Sequence, residues 1–147
     1  SMEQSIFLMG IGRGGFDGLL PQVLPYFSET DLELRRSALQ ALILMTSRKA
    51  EQRMIEMSLR DSDPSIRLEA LEQLVIRPPS WPVIKPMQDI VKAARRPELR
   101  TGAMKVWWRQ LDGYPPLAKM LRGIRDGGLA AWAPPWMTTA PEGMPKE

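Results

Sequence analysis

The chain of 147 residues contains no cysteine and no histidine. The first absence excludes disulfides, thiolate metal sites and cysteine nucleophiles. The second removes the commonest metal ligand and the commonest general base near neutral pH. Aromatic residues are few, at 7%. Long apolar runs are missing as well, and none approaches the roughly 20 residues that a membrane-crossing helix needs. Ile6-Phe7-Leu8-Met9, broken at once by Gly10, is too short for the apolar stretch of a signal peptide. Ser1-Met2 reads as an expression remnant, so the compartment stays open, with a lean to the cytoplasm. What remains, 25% charged and 44% apolar residues, is the composition of a soluble globular protein with one ordinary core.

Charge is unevenly spread. Residues 1–76 carry 8 basic and 11 acidic side chains, a net charge of −3. Residues 77–125 carry 11 basic and 3 acidic ones, a net charge of +8. From Asp126 onward the net charge is −2. Such a step is a surface asymmetry that must be weighed as an anion-binding feature.

The strongest positive signal is self-similarity. Asp31-Leu32-Glu33-Leu34-Arg35-Arg36-Ser37-Ala38-Leu39-Gln40-Ala41-Leu42 returns 32 residues later as Asp63-Pro64-Ser65-Ile66-Arg67-Leu68-Glu69-Ala70-Leu71-Glu72-Gln73-Leu74. A third version, Arg96-Pro97-Glu98-Leu99-Arg100-Thr101-Gly102-Ala103-Met104-Lys105-Val106-Trp107, follows after 33 more. A period of this length marks a helical unit that cannot bury its apolar face alone. On a wheel of about 100° per residue, Ala38, Ala70 and Ala103 fall together. Leu42, Leu74 and Trp107 form the next group, and Leu39, Leu71 and Met104 another. Ile43, Val75 and Trp108 close the apolar arc.

Arg35, Arg67 and Arg100 sit in the middle of that arc. A guanidinium there needs a partner, because an unpaired buried charge is costly. Asp31 and Asp63, four residues upstream of the first two arginines, are placed to cap their helices and to meet an arginine at a repeat junction.

The pattern Asp-x-x-x-Arg-x-x-Ala-x-x-x-Leu resembles the second helix of a HEAT repeat, especially the short bacterial form, over roughly residues 17–112. The resemblance implies an all-α fold, a right-handed α-α superhelix of about three and a half helix pairs. It also implies prolines that bend the first helices, a role Pro25 and Pro86 would fill. First helices are expected at Leu19–Phe27, Ala50–Leu59, Val83–Ala94 and Leu117–Arg125. Second helices are expected at Leu32–Met45, Ser65–Ile76 and Glu98–Leu111. Ser5–Gly10 reads as the end of a further second helix, so residues 1–126 form the repeat domain, and a fragment of a longer array is one reading of its start. Residues 127–147 are a Pro/Trp-rich tail. Gly127-Gly128 ends the last helix, four prolines forbid another, and Trp132 and Trp136 are expected to cover the open end of the last repeat.

Other motifs are weaker. Gly10-Ile11-Gly12-Arg13-Gly14-Gly15 invites a phosphate-loop reading, but no strand precedes it, and a turn between helices fits better. Glu69 and Glu72 read as solvated carboxylates. Trp81, Trp107 and Trp108 could form an aromatic slot, yet Trp107 falls on the buried arc. Lys92, Arg95, Arg96, Lys105 and Arg109 form the densest basic cluster. Asp112, beside Trp107, Trp108 and Arg109, is a loose match to the HEAT-like DNA glycosylases. Leu8-Met9-Gly10 leading into Leu20-Pro21-Gln22-Val23-Leu24-Pro25-Tyr26-Phe27 resembles the helical domain of lipid-transfer proteins.

The sequence therefore points to a non-enzymatic scaffold or binding module with no catalytic residue, cofactor or metal. Its partner is another protein or another domain of its own chain. The expected contact face is the outward side of the second helices: Ser37, Gln40, Leu44, Glu69, Glu72, Ile76, Lys105 and Arg109. Nucleic-acid binding is the competing reading.

Overall fold

Every regular element among the described residues is helical. The computed structural model describes residues 17–43, 45–115 and 119. The helices expected at Ser5–Gly10 and, apart from Lys119, Leu117–Arg125 lie outside them, as do the glycine run at residues 10–15, Leu44 and the tail from 127. Six α-helices have both ends among the described residues: α1 (Leu20–Val23), α2 (Leu32–Leu42), α3 (Arg48–Arg60), α4 (Pro64–Ile76), α5 (Ile84–Ala93) and α6 (Pro97–Gln110). Short 3-10 turns occupy Asp17–Leu19, Leu24–Ser28, Trp81–Val83 and Leu111–Gly113. No helix among the described residues is long and apolar enough to cross a membrane. The chain divides into two compact units, Ser1–Leu74 and Val75–Glu147.

In the first unit the helix starts follow from local chemistry. Asp31 caps α2 by accepting the Glu33 N–H at 2.9 Å. Ser47 caps α3 by accepting the Ala50 N–H at 3.2 Å, and Asp63 caps α4 by accepting the Ser65 N–H at 2.8 Å. Each satisfies a donor that a helix start leaves without an intrahelical partner. Pro64 then occupies the first position of α4, where its missing N–H costs nothing.

The first helix differs from the expected Leu19–Phe27. Only Leu20–Val23 is α-helical, and Leu24–Ser28 tightens into a 3-10 turn. Pro25 has no N–H for the α ladder and its ring crowds the preceding turn, so the helix stops rather than bends. Likewise α2 ends at Leu42 instead of Met45, with Ile43 donating to the Gln40 carbonyl in a tightened last turn.

In the second unit α5 and α6 pack against each other as an antiparallel pair. Buried Met87, Ile90 and Val91 recur at helical spacing along α5, and buried Ala94 follows just past its end. They share the unit's core with Leu99, Ala103, Val106 and Trp107 of α6. Pro86 falls in the first turn of α5, where it interrupts no intrahelical bond, so it too is not the mid-helix bend expected of it.

The loop before α5 is pinned from inside. Gln110, buried in α6, accepts the Ser80 N–H at 2.6 Å and donates to the Val106 carbonyl at 2.8 Å. Gly113 lies so close to this loop that a Cβ there would stand 2.5 Å from Pro79 Cβ. Both contacts are with a rigid ring, so Gly113→Ala is expected to destabilise the fold by about 1–3 kcal/mol through overpacking. Urea denaturation checks this against Gly18→Ala, whose added methyl meets nothing within 4 Å.

Candidate functional site

Helices α2, α4 and α6, which carry the three similar sequence segments, bury the same positions. Leu34, Ile66 and Leu99 are buried, as are Ala38, Ala70 and Ala103 and the set Leu42, Leu74 and Trp107. Leu39 and Leu71 are fully covered, whereas Met104 at the matching position is half-buried. The third segment thus buries the other matched positions and leaves this one partly open.

The three matched arginines are engaged, although not as the sequence pairs them. Arg35 Nη1 donates to the carbonyls of Glu29 and Thr30, six and five residues upstream, at 2.9 and 3.1 Å. Arg100 Nη1 does the same to Ala94 and Arg95, also six and five residues upstream, at 2.9 and 3.2 Å. Arg67 Nε reaches the Ser58 carbonyl at 2.9 Å, in the last turn of α3. Each arginine therefore turns back onto carbonyl groups at the close of the preceding helix or turn, where acceptors are left over and a cation is favoured.

Arg35 also holds a carboxylate, but it is Asp61 rather than Asp31. Its Nε stands 3.1 Å from one Asp61 oxygen and its Nη2 3.3 Å from the other, with side chains only 12% and 6% exposed. Asp31 is occupied as the α2 cap, and Asp63 as the α4 cap. Asp61 was not singled out in the sequence; a carboxylate just after α3, beside the arginine-bearing layer, was the available signal. Neighbouring Arg36 bridges α2 to α4, donating to Glu69 at 3.3 Å and to Ser65 Oγ at 3.1 Å.

The Asp63 carboxyl is held below the ordinary aspartate value, first by the Ser65 hydroxyl and then by the Ser65 N–H; slight desolvation opposes them, and the Ile66 N–H and the Arg35 charge add to the lowering. Because the folded value is depressed, the cap stabilises the fold above the unfolded aspartate pKa of about 3.9 and loses that contribution as pH falls through the folded value. Ser65→Ala should raise the Asp63 titration midpoint and shrink the acid-side loss of stability. Carboxyl NMR titration reads the first effect directly.

The outward positions are mixed. Glu72 is exposed, and Ile76 stands 70% exposed. Gln40, Glu69, Lys105 and Arg109 are half-buried. Ser37 is buried and so does not belong to an open face. Its match in α4, Glu69, is half-buried and meets Arg36 of α2.

The aromatic slot does not assemble. Trp107 is buried and contacts Trp108 edge to face at 6.0 Å, while Trp81 packs instead on Tyr114. Asp112 accepts from Arg109 at 2.8 Å. Lys92, Arg95 and Arg96 are exposed around the turn between α5 and α6. No group of three or more acidic side chains that could hold a metal occurs among the described residues. Comparison with known protein families, curated proteins and solved structures found no match.

Proposed function

We propose that the chain is a HEAT-like helical-repeat module, built as a right-handed superhelix of about three and a half helix pairs, that binds another protein and catalyses no reaction. One observation carries the repeat reading: Arg35 and Arg100, 65 residues apart, both bond the carbonyls six and five residues upstream. Equivalent buried positions in α2, α4 and α6 support it further. Units that reuse one packing solution present repeated outward positions, and such surfaces bind. The polar chemistry in these units is spent on caps and junctions, which leaves surface recognition as the role best matched to the residues.

Each unit contributes its own outward residues: Gln40 and Glu72 in the first, where Glu69 is already engaged by Arg36, and Ile76, Lys105 and Arg109 in the second. The first set is acidic and the second basic, so recognition depends on the charge order of the partner. With a partner captured by pull-down, Glu72→Lys and Arg109→Glu should each weaken binding by about tenfold, equivalent to about 1.4 kcal/mol. Unchanged affinity in both variants would refute the surface assignment.

Nucleic-acid binding is the second reading, favoured by the exposed Lys92, Arg95 and Arg96. Less basic surface is free for it than composition promises, since Arg100 is held by backbone carbonyls and Arg109 by Asp112. A tight complex in a low-salt gel shift, weakened steeply by salt and by replacing those three residues, would favour this reading over the first.

A further inference from the structure

We propose that Trp81 and Tyr114 form a docking platform for an extended proline-rich segment, and that its occupant is the chain's own Ala130–Pro145. Trp81 is 61% exposed and keeps one ring contact. It meets Tyr114 edge to face, with centroids 5.1 Å apart and planes at 79°. The backbone beneath it is held by the bond from Ser80 to buried Gln110 and by the close approach of Gly113 to Pro79. Pro78 and Pro82, close to Trp81 in sequence, are exposed as well. A large aromatic side chain left in solvent on a fixed backbone is a preorganised surface, and little ordering cost remains when a ligand covers it.

Perpendicular aromatic rings suit a polyproline-II strand, whose stiff, extended form docks in aromatic-lined grooves with little loss of entropy. The chain carries a proline-rich sequence of the kind that takes this form in Trp132-Ala133-Pro134-Pro135-Trp136, with Pro141 and Pro145 beyond it. That segment lies outside the described residues. Its charge is complementary, since the one charged residue of Ala130–Pro145 is the acidic Glu142 and residues 77–125 carry a net +8. Reach is not limiting, because an extended chain spans about 3.3 Å per residue and roughly 20 residues separate Tyr114 from Pro134. A tethered ligand of this kind is present at an effective concentration in the millimolar range, so even a platform of modest affinity is filled from within.

The test uses the full chain, labelled with nitrogen-15, and reads the tryptophan indole N–H signals by NMR. Replacing Pro134 and Pro135 together by alanine leaves the platform itself untouched. The Trp81 signal should nevertheless shift, and by the same amount across a wide dilution series. Trp81→Ala should in turn shift the Trp132 and Trp136 signals. A Trp81 signal indifferent to the tail substitutions would overturn the proposal. So would a shift that disappears on dilution, since the occupant would then be a second copy.

Discussion

Replacing Arg35 by alanine should lower folding stability by about 3–5 kcal/mol, the cost of breaking a buried ion pair and leaving one charge behind. The Asp61 carboxylate left behind has a side chain only 6% exposed, and the carbonyls of Glu29 and Thr30 lose their donor in the same step. Arg60→Ala is the surface control, because Arg60 is exposed and such changes stay within about 0.5 kcal/mol. Arg36→Ala should fall between them, since its pairs with Glu33 and Glu69 are better solvated. If the loss arises from an abandoned charge, removing Asp61 as well should cost less than the two single losses added together. Urea denaturation of the three arginine variants, the Asp61 variant and the Arg35/Asp61 double variant measures all of this. An Arg35→Ala effect no larger than that of Arg60→Ala would mean the junction does not carry the load assigned to it.

Trp107→Ala should cost the second unit a comparable amount, about 3–5 kcal/mol. The side chain is 1% exposed, so truncation both loses its burial and opens a cavity. The edge-to-face contact with Trp108 adds about 0.5–1.5 kcal/mol beyond area. Leucine holds the matching positions in the first two copies, Leu42 and Leu74. Trp107→Leu should accordingly be much milder than Trp107→Ala, as the helix seam already accepts that side chain elsewhere. Thermal unfolding distinguishes the two variants; equal losses would remove the equivalence between Trp107 and the leucines.

Helices were easy to read in this chain because three segments repeat one apolar pattern, and their shared buried positions recur in the structure. The caps at Asp31 and Asp63 were legible for the same reason, as a carboxylate just before an apolar period has one local use. Arginine partners were less so. Which acceptor a long guanidinium reaches depends on how the preceding turn closes, and that closure put carbonyl groups and Asp61 within range rather than the upstream aspartates. Pro25 shows a similar limit. Its presence announces an interruption, but whether a helix bends or stops depends on whether neighbours hold the next turn together. Ser37 reads as outward on a wheel drawn from its own helix, yet it is buried, because a single-helix wheel carries no information about what packs beside that helix.

An experimental structure of the full chain, with its helix pairs superposed, tests the repeat proposal most directly. The rotation that carries α2 onto α4 should also carry α4 onto α6, bringing Arg35, Arg67 and Arg100 into coincidence, with a right-handed sense throughout. Helix pairs related by two unlike rotations, or a left-handed path, would contradict it.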